Sequence, residues 1–479
     1  MNSFFVDEPE LEFGLGRHID IRAGLTHLGA LDSQGSLAPK RIRIGVIGEQ
    51  SALDAFAHWV EQCRDGVAAK ETALTTLFPR FPGFGEGKLF CDFFCAAQLT
   101  RALSRRELTQ LAQCESRGEV IVKSAEYLVN EMHDLVQNAP IDVCVCLLPE
   151  TLMRRIDASE VNLEDGYPAV EGVGGEPIWH DFIKATAVRL QVPIQVVRPA
   201  TYGGKVHRFR ADGKASKEIE DEASRAWNFF TGIYYKSKGI PWRLQRTSEE
   251  LAACYIGVSF FHEYFGDGVA ASVAQVFNER GEGVVLRGGR ATVTKDDRSL
   301  HLTGEAINKL VADVLKLYRS EHRHLPARVV VHKSSYFTHE ELEGCQSAID
   351  MQGIDSCELL SLRKSNTRFF RNSSYPPLRG TAVELDSKTA LLYTQGSVDF
   401  YRACPSKYVP RPLEVRLDAA ESGLRSIMAE LLALTKMNWN STRFVNAMPI
   451  TLSAARKVGD IIRYIAPDQP IHSRYSHYM

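Results

Sequence analysis

The chain has 479 residues, 44% hydrophobic and 24% charged, with a formal net charge of −2. This composition is that of a globular protein with room for more than one domain, and it excludes a basic surface that coats nucleic acid without selection. No stretch approaches the roughly 18 consecutive apolar residues of a membrane helix. The acidic opening MNSFFVDEPELEF lacks the order of a signal peptide, so the expected location is cytoplasmic.

The predicted elements begin with Arg41–Gly48 (RIRIGVIG), a β-branched strand ending in glycine, followed by a helical pattern from Ser51 to about Arg64. Helical periodicity over 119–137 leads into an apolar strand at 142–148. Cys144 and Cys146 alternate within that run. No two of the ten cysteines have CxxC spacing, so they read as buried thiols of a reducing compartment and not as metal ligands. A helix around 180–190 leads into a strand at 194–198. Strands alternating with helices predict a parallel, Rossmann-like sheet. GVIGEQS (45–51) matches neither GxGxxG nor GxxxxGKS, which gives a nucleotide-dependent enzyme little support.

A polar loop at 201–214 precedes a helix over 215–236 that is acidic at its start and ends on Lys236. After GIPW (239–242) the pattern changes. Strands are expected at 253–261, 270–279 and 283–294, a helix at 303–321, a strand at 327–333, a helix at 338–348 and a strand at 357–362. A hairpin at 380–396 and helices at 417–436 and 451–464 complete the chain. Three strands, a helix, a strand and a terminal helix are the order of an RNase H-like fold. The expected class is therefore α/β, with a Rossmann-like domain over 1–238 and an RNase H-like domain over 239–479.

His180, Lys184, Gln195 and Lys236 form a constellation suited to a terminal phosphate. His180 and Lys184 are four apart and share a helix face. Gln195 begins the next strand, and Lys236 ends a later helix. Ligand sites of such domains lie beyond the carboxyl ends of strands, and a phosphate wants cationic donors plus an amide. Each residue alone has a plainer reading. The pair is also the pattern of a solvated face, Gln195 can satisfy backbone, and Lys236 can complement a helix dipole.

In combination the residues resemble the MID domain of Argonaute proteins. There an aromatic, His or Arg, a Lys one turn on, a Gln about a dozen residues later and a Lys before a Gly-containing turn bind the guide 5′-phosphate. IYYKSKGIPWRL (233–244) is similar to that family's junction between MID and PIWI domains. The resemblance also implies that the C-terminal carboxylate, that of Met479, joins the pocket through a divalent cation, Mg²⁺.

Active PIWI domains carry an Asp directly after an IG-apolar motif and another after an apolar strand ending in His–Arg or His–Lys. In this sequence YIGVSFF places Ser259 at the first position and VVVHKSSYFTHEEL places Ser334 at the second. A serine hydroxyl does not supply the anionic oxygen that a two-metal nuclease site needs. The resemblance therefore implies a PIWI domain that does not cut. The alternative is an active Mg²⁺-dependent nuclease whose ligands lie elsewhere.

The segment 434–460 is also similar to PIWI, and its Lys436, Asn438, Asn440, Ser441, Thr442 and Arg443 are candidates for guide-backbone contacts; a plain interhelical loop is the alternative. In 362–381, Arg368, Arg371 and Arg379 stand among basic residues interleaved with Phe369, Phe370 and Tyr375, a pattern that suits a single strand or heteroduplex. The likeness covers 140–479 and leaves no room for the N and PAZ domains of long Argonautes. It implies a short prokaryotic Argonaute: guide RNA and single-stranded target DNA are bound, and a heterodimeric partner carrying an APAZ region and a SIR2-like or TIR NADase is switched on against plasmids or phage.

Overall fold

The computed structural model describes residues 2–156, 177–203, 220–245, 252–264, 269–277 (as backbone), 283–293, 299–369, 376–405 and 409–479. Arg371, Phe370, Tyr375 and most of the polar loop expected at 201–214 lie outside them. The chain folds as two compact units. One comprises Ser33–Gly239, Tyr464–His472 and Ser476–Met479; the other comprises Met1–Asp32, Ile240–Arg463 and Ser473–Tyr475.

The first residues form a strand, β1 (Asn2–Phe5), with Phe4 turned inward. It is followed by β2 (Leu11–Phe13), β3 (Gly16–His18) and helix α1 (Ile21–Leu28), which Asp20 caps through the Ala23 amide. None of these elements was expected from the sequence.

The Rossmann-like unit begins with β4 (Arg41–Gly48) and α2 (Gln50–Arg64), then β5 (Asp92–Phe94), β6 (Thr100–Ala102), α3 (Arg105–Ala112) and α4 (Arg117–Asn138). Strand β7 (Val143–Leu147), α5 (Glu150–Ile156), α6 (Trp179–Ala187), β8 (Ile194–Val197), α7 (Pro199–Tyr202) and α8 (Glu222–Lys236) follow. The strands are all parallel, in the order β5-β4-β7-β8 with β6 also on β4. A parallel sheet is covered on both faces, which explains the unbroken apolar run of β7 and the continuous burial of β4 from Ile44 to Gly48. Cys144 and Cys146 are fully buried in β7, and burial pushes the Cys146 thiol up to about 12.

The RNase H-like unit continues with β9 (Arg243–Leu244), β10 (Ala253–His262), β11 (Val269–Phe277) and β12 (Gly283–Arg287). A short ribbon, β13 (Thr292–Val293) and β14 (Leu300–His301), precedes α9 (Gly304–His322), β15 (Arg328–Lys333), α10 (His339–Asp350) and β16 (Ser356–Lys364). The end of the unit is β17 (Thr381–Glu384), β18 (Thr389–Leu392), β19 (Leu413–Ala419), α11 (Leu424–Leu434) and α12 (Ile450–Ile462). The sheet order is β1-β17-β18-β19-β16-β15-β10-β11-β12, with β10, β15 and β16 parallel at its centre. One face packs on α9 and α10 through Val258, Val331, Val314 and Ile349; the other packs on α11 through Val330, Leu360 and Leu431.

Gly257 of β10 permits α12 to lie against the sheet, since a Cβ there would stand 2.2 Å from the Thr451 carbonyl oxygen. Two boundaries differ from expectation. The helix expected from 417 starts only at Leu424, because the alternating LEVRLDA is a strand paired with β16 and β18. Met1–Asp32, expected in the first domain, belongs to the RNase H-like unit: β1 extends its sheet beside β17, and β2 pairs with β9.

Candidate nucleic-acid-binding site

In the Rossmann-like unit, α6 is fixed at its start by Trp179, whose buried indole N–H donates to Ser124 Oγ at 3.0 Å. This rotates His180 and Lys184 to one side. The His180 side chain keeps 37% of its surface and its Nδ1 lies 3.0 Å from Asp181 Oδ1. Lys184 is buried; its Nζ donates to the Ile194 carbonyl at 2.8 Å and to a main-chain carboxylate oxygen of Met479. Lys236, the last residue of α8, is also buried, and its Nζ donates to Gln195 Oε1. The Gln195 amide N–H₂ donates to the Val196 carbonyl at 3.1 Å.

Two ammonium groups thus meet β8 at consecutive residues, Ile194 and Gln195, and Met479 joins them. Burial pushes Lys236 down to about 7. The cluster lies at the amino end of β8, beside the last turns of α6 and α8, not beyond the carboxyl ends of strands as expected. Helix carboxyl ends carry partial negative charge, so the lysines also balance those dipoles.

In the RNase H-like unit, Ser259 of β10 and Ser334 just after β15 leave adjacent parallel strands at one level. Val258 pairs with Lys333, and the Ser334 amide donates to the Val258 carbonyl at 3.2 Å. Alternation puts both serines on the α12 face, with Gly257 and with His332, whose Nδ1 is 2.8 Å from Thr451 Oγ1. The β10–β11 register shifts between Ser259 and Phe261, a bulge beside the pair. Lys333 points the other way and is buried against Glu341 Oε2 at 2.9 Å.

The backbone candidates separate. Lys436 and Arg379 are turned inward: their side chains are fully buried and share Glu8, at 2.9 Å from Lys436 Nζ to Oε1 and 2.8 Å from Arg379 Nε to Oε2. Arg379 also donates to the Leu432 carbonyl and Thr435 Oγ1. Burial raises the Glu8 carboxyl, but Arg379 and Lys436 together pull it below its usual range. Burial drives Lys436 down to about 8, with Glu8 opposing the fall. Lys436 and Arg379 therefore bind the chain's own N-terminal segment, where the sequence suggested a nucleic-acid backbone.

Thr442 is buried and accepts from Arg22 Nε at 2.9 Å. Asn438 Oδ1 and Ser441 Oγ accept from the Asn440 and Arg443 amides, and Asn440 and Arg443 are exposed. Arg368 is half-buried and donates to the Asn366 and Thr367 carbonyls. The loop is held from below by two tryptophans: Trp242 Nε1 donates to the Lys436 carbonyl and Trp439 Nε1 to the Trp242 carbonyl. Neither Glu8 nor Arg22 is legible as a site residue in the sequence, because each acts on a residue several hundred positions away.

A family model described as the Piwi domain matches residues 175–466, and the chain belongs to that family. Among curated proteins it is similar to the protein argonaute of Aquifex aeolicus (strain VF5), with 23% identity over 321 residues, covering 66% of this chain and 40% of that protein. Among solved structures it is similar to Clostridium butyricum Argonaute bound to a guide DNA (5′ deoxycytidine) and a 19-mer target DNA, with a TM-score of 0.65, 16% identity, and coverage of 99% of this chain and 54% of that one. It is also similar to Marinitoga piezophila Argonaute in complex with 5′ OH guide RNA, with a TM-score of 0.56, 11% identity, and coverage of 100% and 59%. The chain spans 40% of the curated relative and little more than half of these solved chains.

Proposed function

We propose that the chain holds the 5′-phosphate end of a short guide strand and uses it to recognise a complementary target without cutting it. The observation that carries this reading is the pair of buried lysines, from α6 and α8, that meet at β8, one of them held by a neutral amide oxygen. An ammonium taken out of water without a counter-charge is costly. A terminal phosphate supplies that charge and several acceptors for short, charge-assisted hydrogen bonds. Lys236 would turn from Gln195 Oε1 to a phosphate oxygen, and Lys184 would share its protons between the Met479 carboxylate oxygen and a second phosphate oxygen. His180, at the more open end of the same helix face, would take the rim. The fold neighbours support guide binding as a use of this fold. One was bound to a guide with a 5′ OH, so the end group is decided by the pocket residues and not by the fold.

Mg²⁺ fits this pocket, because Gln195 Oε1 and the Met479 main-chain oxygen are hard oxygen donors and the ion fills its remaining positions with phosphate and water. Its charge would neutralise phosphate oxygens that the lysines leave unpaired. We take the guide as RNA and the target as single-stranded DNA. The absence of cutting is inferred from Ser259 and Ser334, which come side by side where a two-metal centre needs carboxylates. The output then belongs to a second protein, which we take to be an APAZ-containing partner with a SIR2-like or TIR NADase, in prokaryotic immunity.

The test is to purify the chain from cells with whatever accompanies it, sequence the bound nucleic acid, determine its 5′ ends, and offer a complementary target with Mg²⁺. Short 5′-phosphorylated strands, an APAZ-bearing partner and an intact target are expected. Target cleavage would overturn the inactive reading, and unphosphorylated guides would overturn the pocket.

A further inference from the structure

The cluster on β8 takes its Met479 oxygen from a segment with almost no regular structure. Tyr464–His472 and Ser476–Met479 belong to the Rossmann-like unit, while Ser473–Tyr475 belong to the RNase H-like unit. Apart from one 3-10 turn at Tyr475–His477, no helix or strand is built from these residues. A segment without a ladder of backbone hydrogen bonds keeps its place only through individual contacts.

Both ends of the segment are fixed on α6. At the start of that helix the Ile178 amide donates to the Tyr464 hydroxyl oxygen at 3.1 Å, and the Tyr464 ring meets Phe182 edge-on with centroids 5.6 Å apart. In its last turn Lys184 Nζ donates to the Met479 main-chain oxygen. Between these anchors the segment is tied to itself. The Tyr478 hydroxyl donates to the His472 carbonyl at 2.8 Å, and the His472 and His477 rings stack with centroids 3.5 Å apart and planes 16° apart. The tie joins the residue before Ser473–Tyr475 to the residues after them, so the three that belong to the other unit do not set the position of Met479. His477, Tyr478 and Met479 are all buried.

We propose that Tyr464–Met479 is a strap along α6, and that Tyr478 is a positioning residue whose hydroxyl holds the Met479 main-chain oxygen at Lys184. This rests on the reading of the cluster as a 5′-phosphate site. A site of that kind works only when each group is held near its final geometry by residues that do not themselves touch the ligand. With the tie in place, the oxygen is aimed at Lys184 before a strand arrives. Without it, ordering the end of the strap would subtract from the binding of the phosphate. A strand that lacks the phosphate makes no use of this oxygen, so its affinity does not depend on the tie.

The experiment compares the full chain with its Tyr478→Phe variant, which keeps the buried ring and removes only the hydroxyl. Each is titrated with a short strand carrying a 5′-phosphate and with the same strand carrying a 5′-hydroxyl. The variant is expected to lose affinity for the phosphorylated strand by a factor on the order of five, the worth of one hydrogen bond, and to bind the hydroxyl strand unchanged. Equal losses for the two strands would make Tyr478 a structural residue, and no loss for the phosphorylated strand would remove it from the site; either result overturns the proposal. Amide hydrogen exchange over 472–479, without any nucleic acid, is the second measurement. Exchange there should be about fivefold faster in the variant, and an unchanged rate also overturns the strap. If the unaltered chain does not distinguish the two strands, the pocket reading falls by itself, and the exchange rates alone decide whether the tie holds Met479.

Discussion

Lys236 rests its ammonium on the side-chain carbonyl oxygen of Gln195, and among the described residues it has no carboxylate partner. A buried cation satisfied by a neutral oxygen is a poor arrangement for stability and a suitable one for receiving an anion. Lys236→Met should therefore separate the two properties. Affinity for a 5′-phosphorylated strand should fall by about 1.5–3 kcal/mol, the worth of a charged hydrogen bond. Affinity for a 5′-hydroxyl strand should stay the same. Calorimetry of the same variant should show a higher Tm.

The pH dependence of that gain has a definite sign. Lys236 ordinarily titrates near 10.5 and is pushed down to about 7 in the fold, so between these values the unfolded chain holds a proton that the folded one lacks. Stability contributed at this site rises with pH across the window. The stabilisation by Lys236→Met should thus be fullest below pH about 7 and fade toward the ordinary lysine value. A gain that grew with pH would contradict the burial argument.

Binding should respond in the opposite sense. Phosphate favours the charged lysine, so above pH about 7 each binding event takes up a proton and affinity falls by at most about tenfold per pH unit. Fluorescence titrations at several pH values should show this for the phosphorylated strand, and a flat profile for the hydroxyl strand and for Lys236→Met.

Glu8 is the joint through which the N-terminal segment holds the RNase H-like unit. Glu8→Ala leaves Arg379 and Lys436 buried without a counter-charge, a loss on the order of 3 kcal/mol. Urea unfolding should register it as a lower midpoint. A midpoint within error of the unaltered chain would show that the pair is dispensable.

The sequence revealed elements whose pattern is long enough to repeat. β7 is legible because VCVCL is apolar without a break, and α4 because its buried positions recur with helical period from Val120 to Leu135, roughly four turns. The strands of three or four residues at the start of the chain are too short for a period, and the helix expected from 417 takes in the last three residues of β19, past the inward Leu413 and Val415. The meeting of Lys184, Gln195, Lys236 and Met479 could be anticipated from spacing together with a family resemblance. The inward turn of Arg379 could not, because its partner Glu8 stands 371 residues away, and basic side chains look alike in sequence whether they face water or a buried carboxylate.

Ser259 and Ser334 leave adjacent strands at one level, so two carboxylates placed there would face the same volume. Ser259→Asp with Ser334→Asp should create a measurable Mn²⁺ site in calorimetric titration, while the unaltered chain shows none at these positions. No gain of metal binding would mean that these serines do not stand at the ligand positions of a nuclease.

The most direct test of the central claim compares two guides that differ only at the 5′ end. The chain, purified with whatever accompanies it from cells, is titrated with one strand carrying a 5′-phosphate and with the same strand carrying a 5′-hydroxyl, at fixed salt and pH. The account predicts tighter binding of the phosphorylated strand, with Lys184→Ala and Lys236→Ala each removing most of the difference. Equal affinity for the two strands in the unaltered protein would contradict it.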